Sequence, residues 1–544
     1  MSFRPRLAAA VAVTSLFAPL PAQAQNAPFD LSGPSLRVSV KRQGVSLPIS
    51  HVPNLAAGDR LAIAADLPED QAAHYLLVAV FLRGATNPPP KDWFYRAETW
   101  AKKDKQRKLD LTVPEGAHQL ALFLVPETGG DFSALMDAVR GRPGAFVRAS
   151  QDLNQAMLDR TRLEAYLQGI QRQDDTRPEK LEEVSPILAR SLAIKLNADC
   201  LQKLSDVQAA CLTQDREALV LNDSHSTTIT EALTGAPTDL ALQVAATPQG
   251  GLGYYSPYIG VVRDLARVLG AFHTAEFQYI PALGVIREEG VHLLLNAVPS
   301  FREPKSVLVA ALPPIKASQP PPLQATAGTA RLCAGSPGLV LPVNGGPLIY
   351  STRYAHSMVA NVRTRGGGML SIPVTATAER GGFTLDRSRL RLSDFGEEID
   401  VQLQGYWGFQ PFAGPRFQLA NPAAAAWRLA DGQSGLVEGA GARVSLNGET
   451  GACVTQVSVK PAGGAEAAVR WEAGTNGLTF NLPPEAMTPG TAEVRIRLAG
   501  VDTPAILPLQ IAAKPAPPAA PPMPDDPTQP QSAPTAAPPA PPAM

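Results

Sequence analysis

After its N-terminal segment the sequence lacks any long apolar run, and its net charge is close to zero. A membrane-spanning helix needs about 20 apolar residues, so we expect no transmembrane segment in the mature chain. The formal net charge of −1 over 544 residues argues against nucleic acid as a partner, because nucleic-acid binding requires a basic face. The same value gives no reason to expect an acidic polymer as a ligand.

The sequence also lacks the motifs of common catalytic, nucleotide-binding and metal sites. Its 7 histidines are scattered and form no H-x-x-x-H or H-E-x-x-H pair. No nucleophile elbow, Walker A loop, dinucleotide-binding glycine pattern or calcium loop occurs. We therefore predict no catalytic residue, no cofactor and no metal, and a non-enzymatic protein is favoured.

The nearest approach to catalytic chemistry is the segment Asp223–Ser226, which contains His225. Neighbouring residues rarely point at each other, whereas a Ser–His pair must converge through the fold. We interpret this segment as a turn or a helix cap before Ile229. The carboxylate pairs Glu182–Glu183 and Glu288–Glu289 are typical of solvated charge. A periplasmic hydrolase with its active site in the middle of the chain is the alternative that these patterns leave open.

The first 24 residues read as a cleavable secretory signal of a Gram-negative-type bacterium. Arg4 and Arg6 precede the apolar stretch Leu7–Phe17, and the small-x-small triplet Ala22–Ala24 follows two prolines. This order predicts cleavage after Ala24. The first cysteine is Cys200, so no lipoprotein anchor is expected at the cleavage site. We predict a periplasmic or secreted protein.

Four cysteines, an even number, suggest two disulfide bonds in an exported chain. Three pairings are open, and we favour Cys200–Cys211 together with Cys333–Cys453. Zinc is the competing interpretation. It fails because no C-x-x-C motif occurs and no histidine lies near either pair in the sequence.

The periodicity of apolar residues predicts a multidomain α+β chain. In residues 25–128, apolar residues alternate with polar ones, for example at Leu36, Val38 and Val40. This period of two predicts an N-terminal antiparallel β-sandwich. Residues 129–318 change to helical spacing and predict a helical or α+β middle domain. A Pro-rich linker at 319–325, tandem Ig-like β-sandwiches at 326–414 and 415–513, and a disordered Pro/Ala-rich tail at 514–544 complete the expected layout.

Three helices are expected in the middle domain. The first is predicted from apolar residues at helical spacing between Leu153 and Ile170. The second is predicted to begin at Ser185-Pro186 and to continue through Cys200 to Leu204. For a disulfide to Cys211, that helix must end near Ser205-Asp206, because Cα atoms about 16 Å apart on one helix cannot be bridged. The third is predicted through residues 259–269.

Four aromatic residues lie close together in the segment Gly405–Phe412, flanked by glycine and proline. They are Tyr406, Trp407, Phe409 and Phe412. The segment follows a regular strand, and we predict an aromatic loop that either packs a sandwich end or contacts a ligand. Packing is the favoured interpretation. A similar cluster, Gly253–Tyr258, is interpreted in the same way.

Together these features predict an exported, non-enzymatic envelope protein that binds or scaffolds another envelope component through its β-sandwich modules. An envelope protein or a glycan is the expected partner. A scaffold within a secretion or surface-polymer assembly is a third hypothesis.

Overall fold

The structure is a computed structural model, and it describes residues 31–67, 74–126, 132–214, 277–287, 290–302, 304–326, 331–424, 426–431, 436–439, 442–448, 451–474 and 477–515. The signal segment, the predicted third helix and most of the predicted tail lie outside these residues. The chain divides into two units, Met1–Ala424 and Ala425–Met544. The described part of the chain is mostly β-sheet with some helix, which agrees in part with the predicted α+β chain with β-sandwiches.

Ten strands form the first sheet. They are Leu31–Arg42 (β1), Val45–Pro48 (β2), Arg60–Asp66 (β3), Tyr75–Leu82 (β4), Phe94–Glu98 (β5), Lys108–Thr112 (β6), Gln119–Pro126 (β7), Phe277–Arg287 (β8), Gly290–Leu295 (β9) and Lys305–Ala311 (β10). Their order is β5-β4-β7-β10-β8-β9-β1-β3-β6, with β2 beside β1. β10 is antiparallel to β7 and parallel to β8. Residues 25–128 therefore do not form an antiparallel sheet of their own. Strands from both sides of the boundary expected at 128/129 belong to the same sheet.

In the described residues between β7 and β8 there are four α-helices. They are Phe132–Gly141 (α1), Pro143–Thr176 (α2), Leu181–Leu192 (α3) and Ser205–Leu212 (α4). The apolar residues that predicted the first helix all lie on α2. The second helix differs from its prediction, because it begins at Leu181 and Pro186 lies inside it. It ends before Ala193, whose left-handed φ of 52° breaks the helix, and Cys200 lies in a separate 3-10 turn, Ala198–Gln202.

The central strands of the first sheet are buried on both faces. On β4, Leu77, Ala79 and Phe81 belong to one apolar core. The alternate residues Val78, Val80 and Leu82 belong to a second core, which is completed by α1 and α2. Because side chains alternate between the two faces of a strand, the continuous apolar run of β4 reflects a sheet covered by helices on one side.

Eight strands form a second sheet in the same unit. They are Gln324–Ala325 (β11), Leu332–Cys333 (β12), Val340–Asn344 (β13), Ala355–Arg363 (β14), Met369–Thr377 (β15), Gly382–Leu385 (β16), Glu398–Trp407 (β17) and Gln410–Ala420 (β18), with a short helix, Pro347–Ser351 (α5). Their order is β11-β13-β16-β15-β14-β17-β18-β12. The last residues of the predicted linker thus pair in this sheet as β11.

The boundary predicted at 414/415 lies inside β18. Gly414-Pro415 resembles a turn in the sequence, yet the strand continues through it to Ala420. The pairing of β17 with β18 shifts in register between Gln402 and Gln404. A register shift of this kind absorbs residues that interrupt the ladder, and proline is tolerated at such places.

The second unit contains two sheets. Its strands are Arg428–Leu429 (β19), Leu436–Val437 (β20), Ala442–Asn447 (β21), Val454–Lys460 (β22), Ala467–Val469 (β23), Trp471–Gly474 (β24), Gly477–Leu482 (β25), Gly490–Leu498 (β26) and Ala505–Ala512 (β27). The sheets are ordered β19-β21-β25-β24 and β20-β27-β26-β22-β23. Inward residues such as Val444, Phe480, Val457 and Ile496 are buried. None of the described helices is long and apolar enough to cross a membrane.

Candidate functional site

The aromatic segment predicted as a loop is the end of a β-hairpin. β17 runs to Trp407, β18 begins at Gln410, and these two residues pair. Gly408 begins the two-residue turn with a φ of 59°, a left-handed conformation that glycine adopts without strain. The loop prediction is therefore wrong, because the alternation of β17 continues to its last residue.

The alternation places the two neighbouring aromatic residues on opposite faces of the hairpin. Trp407 is 5% exposed, and its ring meets Tyr354 edge-on with centroids 5.6 Å apart. Tyr406 is 45% exposed. Phe412 is partly buried against the core that contains Trp407. Tyr406 is therefore the most exposed of these three rings.

Phe409, at the tip of the hairpin, packs against the first sheet. It is partly buried against the core of that sheet, and the guanidinium of Arg42 lies 4.6 Å from its ring centroid. Arg42 is held in turn by both carboxylate oxygens of the buried Asp59, at 2.7 and 2.8 Å. A cation above an aromatic face is attractive, so Phe409 is a packing contact in this structure.

Three stacked rings lie beside the hairpin. His51 and His356 stack with centroids 5.0 Å apart, and His356 stacks on Tyr406 at 5.7 Å. The Nε2–H of His356 donates to the carbonyl oxygen of Gly408 at 2.9 Å, because a carbonyl oxygen can only accept. Partial burial, followed by the neighbouring His356 and Arg353, lowers the pKa of His51 below its ordinary value.

The outward face of the second sheet carries a large polar depression, which we call the polar groove. Its volume is about 940 Å³. It lies across β14, β17 and β18, next to the start of β15 and to Arg331 before β12. The lining residues are Arg331, Asn361, Arg363, Met369, Asp400, Val401, Gln402, Gln404, Ala413, Arg416, Phe417 and Gln418.

Hydrogen bonds between strands hold the amide side chains of the groove in place. Ser371 donates to the amide oxygen of Asn361 at 2.6 Å, and the amide nitrogen of Asn361 donates to Gln404 at 2.6 Å. On the next strand Arg416 donates to the amide oxygen of Gln402 at 2.6 Å. These bonds reduce the rotamer freedom that a ligand would otherwise have to remove.

The charges of the groove are mixed. Arg331, at its rim, forms an ion pair with Glu398 at 2.6 Å. Arg363 and Arg416 contribute two further positive charges, and Asp400 contributes a negative one. The lining thus carries three arginines and one carboxylate, a small positive excess, together with four amide side chains. Such a surface can bind a neutral or weakly acidic polar ligand, but it contains no pair of groups arranged for acid–base catalysis.

The sequence did not reveal the groove, because its residues come from separate strands. In the sequence, Asp400, Gln402 and Gln404 are simply the polar half of an alternating run. The sequence feature that could have indicated the groove is the pair Gln402 and Gln404, which lie two positions apart on the outward face of β17. Register alone brings Asn361 opposite Gln402.

The cysteines are all oxidised. Cys200 and Cys211 form a disulfide bond with Cα atoms 5.5 Å apart, as predicted, and the buried Cys200 belongs to a core shared by α2, α3 and α4. The chain between them turns at Lys203-Leu204, and the next helix begins at Ser205. Neither Cys333 nor Cys453 is a free thiol, and their mutual pairing stays a prediction.

The other sequence candidates contribute no site in the described part of the chain. Asp223–Ser226, Gly253–Tyr258 and Glu288–Glu289 lie outside the described residues. Glu182 and Glu183 are exposed in the first turn of α3. Among the residues that the structure describes, no three His, Cys, Asp or Glu side chains are grouped so that they could hold a metal ion.

No protein-family model and no curated protein matches this sequence. Among solved structures, Rst D1-D2 is similar to 29% of this chain over 85% of its own length, at 12% identity and a TM-score of 0.15. A titin fragment is similar to 34% of the chain over 94% of its length, with the same identity and TM-score. The teleost fish polymeric Ig receptor ectodomain is similar to 35% over 97% of its length, at 11% identity and a TM-score of 0.15. Similarities at this TM-score carry no argument, so the β-sheet architecture rests on the strand pairing described above.

Proposed function

We propose that this chain is an exported, non-enzymatic envelope protein that binds an extended, weakly acidic glycan in the polar groove. The observation that carries the proposal is the set of amide side chains in the lining, namely Asn361, Gln402, Gln404 and Gln418. An amide group has both donors and acceptors, although the N–H groups of Gln402 already donate to the carbonyl oxygens of Leu403 and Gly414. Sugar hydroxyls also donate and accept, so a row of oriented amides complements a polyhydroxylated chain.

The composition of the groove favours a glycan over a protein partner. Protein hot spots are enriched in tryptophan and tyrosine and lie in desolvated pockets. Phe417 is the aromatic residue of the lining, and it is only 6% exposed. The exposed apolar side chain of the lining is Met369. A polar, open surface of this kind suits a hydrated ligand.

Tyr406 extends the same face beyond the groove. It continues the outward alternation of Asp400, Gln402 and Gln404 on β17. One face of its ring is covered by His356, at an interplanar angle of 10°. The stack fixes the orientation of the Tyr406 ring and covers one of its faces. The other face can form a stacking platform for a sugar.

Export and domain layout are part of this proposal. The order of charged, apolar and small residues in the first 24 positions supports a secretory signal. The Cys200–Cys211 bond supports an oxidising compartment, where such bonds persist. We further propose that the second sheet and the second unit are Ig-like modules.

The test is binding to glycans by the purified mature chain and by groove variants. The double variant Asn361→Ala/Gln404→Ala removes the central amide pair, and each change lies on the surface, where stability effects are usually within about 0.5 kcal/mol. Gln510→Ala is the matched control, because Gln510 is an exposed strand glutamine in the second unit that also accepts a cross-strand hydrogen bond.

The measurements are co-sedimentation with purified peptidoglycan sacculi and binding to a glycan microarray. We expect the parent and Gln510→Ala to bind the same glycans and the double variant to bind at least about tenfold more weakly, since two lost polar contacts cost roughly 1.5 to 3 kcal/mol. Equal binding by the double variant, or no glycan binding by the parent, would reject the groove as a glycan site.

A further inference from the structure

A second concavity lies inside the first unit, where the first sheet meets α2 and α5. Its volume is about 260 Å³. It is lined by Ser50 from the 3-10 turn after β2, Thr161 on α2, Ile286 on β8, and the segment from Tyr350 to Tyr354. It shares no lining residue with the polar groove.

Two buried hydroxyl groups of this lining have no hydrogen-bond partner. Ser50 is 3% exposed and its Oγ is unpaired, and the hydroxyl of Tyr350 is buried and unpaired as well. A buried polar group without a partner costs free energy, and such groups are rare in folded proteins. Burial raises the pKa of Tyr350 above its ordinary value. Its hydroxyl therefore stays protonated and can donate a hydrogen bond.

Three other hydroxyls of the lining already use their protons. Thr161 donates to the carbonyl oxygen of Met157 at 2.7 Å, and Ser351 donates to that of Pro347 at 3.2 Å. Thr352 donates in the same way to Leu348. These three hydroxyls can therefore act only as acceptors towards a ligand, whereas the buried hydroxyls of Ser50 and Tyr350 keep their protons for it.

Among the described residues of the lining, Arg353 is the single charged one, and none is a carboxylate. The other side of the cavity is apolar and includes Met157, Leu158 and Ile286. A cavity of about 150 Å³ is known to accept benzene, so this one has room for a ring together with a polar group.

We propose that this cavity binds a small organic anion, a monocarboxylate attached to an apolar ring or short chain. The carboxylate accepts hydrogen bonds from Ser50, Tyr350 and the guanidinium of Arg353, and the apolar part packs against Met157 and Ile286. This site is separate from the glycan groove, and neither proposal depends on the other.

The experiment uses 4-fluorobenzoate as the probe and 4-fluorobenzyl alcohol as its uncharged counterpart. Binding is followed by fluorine NMR of the probe in the presence of the mature chain. The variants are Arg353→Gln and Ser50→Ala, and the matched control is Arg302→Gln, which removes an exposed arginine outside the cavity. Circular dichroism of each variant checks that it is folded.

We expect saturable binding of the carboxylate by the parent and by Arg302→Gln. Arg353→Gln is expected to weaken it at least about tenfold, because hydrogen bonds to charged groups are the stronger ones. Ser50→Ala is expected to weaken it less, and the alcohol is expected to bind at least about tenfold more weakly than the carboxylate. The proposal would be overturned if the parent shows no saturable binding at probe concentrations up to roughly 10 mM, because a Kd above that value corresponds to very little binding free energy.

A second readout does not depend on the variants. Arg353 is one of the groups that lower the pKa of His51, so an anion bound beside Arg353 should raise that pKa. NMR titration of the His51 imidazole with and without 4-fluorobenzoate measures the change. An unchanged His51 pKa at saturating probe, or equal binding of acid and alcohol, would show that the cavity holds only water or an apolar probe and would reject the anion site.

Discussion

Replacing Trp407 with alanine should destabilise the first unit by about 4 kcal/mol. A large aromatic side chain buries about 150 to 250 Å², and Trp407 is 5% exposed. At about 25 cal/mol per Å², burial of roughly 200 Å² contributes about 5 kcal/mol. Because the unfolded chain is already partly compact, the true value is lower by roughly 10 to 40%. The result agrees with the 3 to 5 kcal/mol usually lost when a buried tryptophan becomes alanine.

The assay is urea unfolding followed by far-ultraviolet circular dichroism, since the substitution itself changes tryptophan fluorescence. Tyr406→Ala is the matched control, one position earlier on the same strand and on the opposite face. Tyr406 is 45% exposed and loses mainly its stack on His356, so a cost of about 1 kcal/mol or less is expected. If the two variants unfold at the same urea concentration, the inward placement of Trp407 is wrong.

Three further predictions follow from the chain termini, the cysteines and the stacked histidines. The mature protein should begin at Gln25, and N-terminal sequencing of exported material that still carries Arg4 would contradict cleavage. The double variant Cys200→Ala/Cys211→Ala should lose about 2 to 3 kcal/mol of unfolding free energy, because an 11-residue separation closes a short loop in the unfolded chain. A linked Cys200–Cys211 peptide in a non-reducing digest checks the bond, and free thiols at both positions would refute it. The folded-state pKa of His51 is lowered from 6.5, so its contribution is fully present above about pH 6.5 and is lost as the pH falls below that value. His51→Gln should therefore flatten the stability profile between about pH 7 and 5, and identical profiles for parent and variant would show that His51 is not involved.

Helices and strands could be predicted from the sequence better than the pairing of the strands into sheets. The helical spacing from Leu153 to Ile170 predicted a helix that lies on α2, and the alternation of Leu36, Val38 and Val40 predicted a strand that is part of β1. The pairing of β1 with β9 was missed, because periodicity shows that a segment is extended but not which strand it pairs with. The continuous apolar run of β4 did carry a signal, since a strand buried on both faces is typical of a sheet covered by helices.

The candidate sites were predictable only in part. Trp407 and Tyr406 were singled out together, but their opposite environments depend on where the alternation of β17 ends. That point is set by the turn at Gly408. This glycine lies against Pro53, in the connection between β2 and β3, and a Cβ at Gly408 would lie 2.7 Å from the proline Cδ. The cavity residues Ser50, Thr161 and Arg353 are distant in sequence, and none stands out by type. Only tertiary contacts bring them together.

The position of β10 between β7 and β8 has a consequence for synthesis. Ala121 of β7 pairs with Ala311 of β10, so β7 keeps one unpaired edge until the chain has grown to residue 311. At 5 to 20 residues per second this interval is roughly 10 to 40 seconds. Leu36 of β1 likewise pairs with Val291 of β9, so this edge of β1 stays unpaired until residue 291 has been added. Unpaired strand edges invite pairing with other chains, so these two edges stay open to such pairing until the last three strands of the first sheet are present.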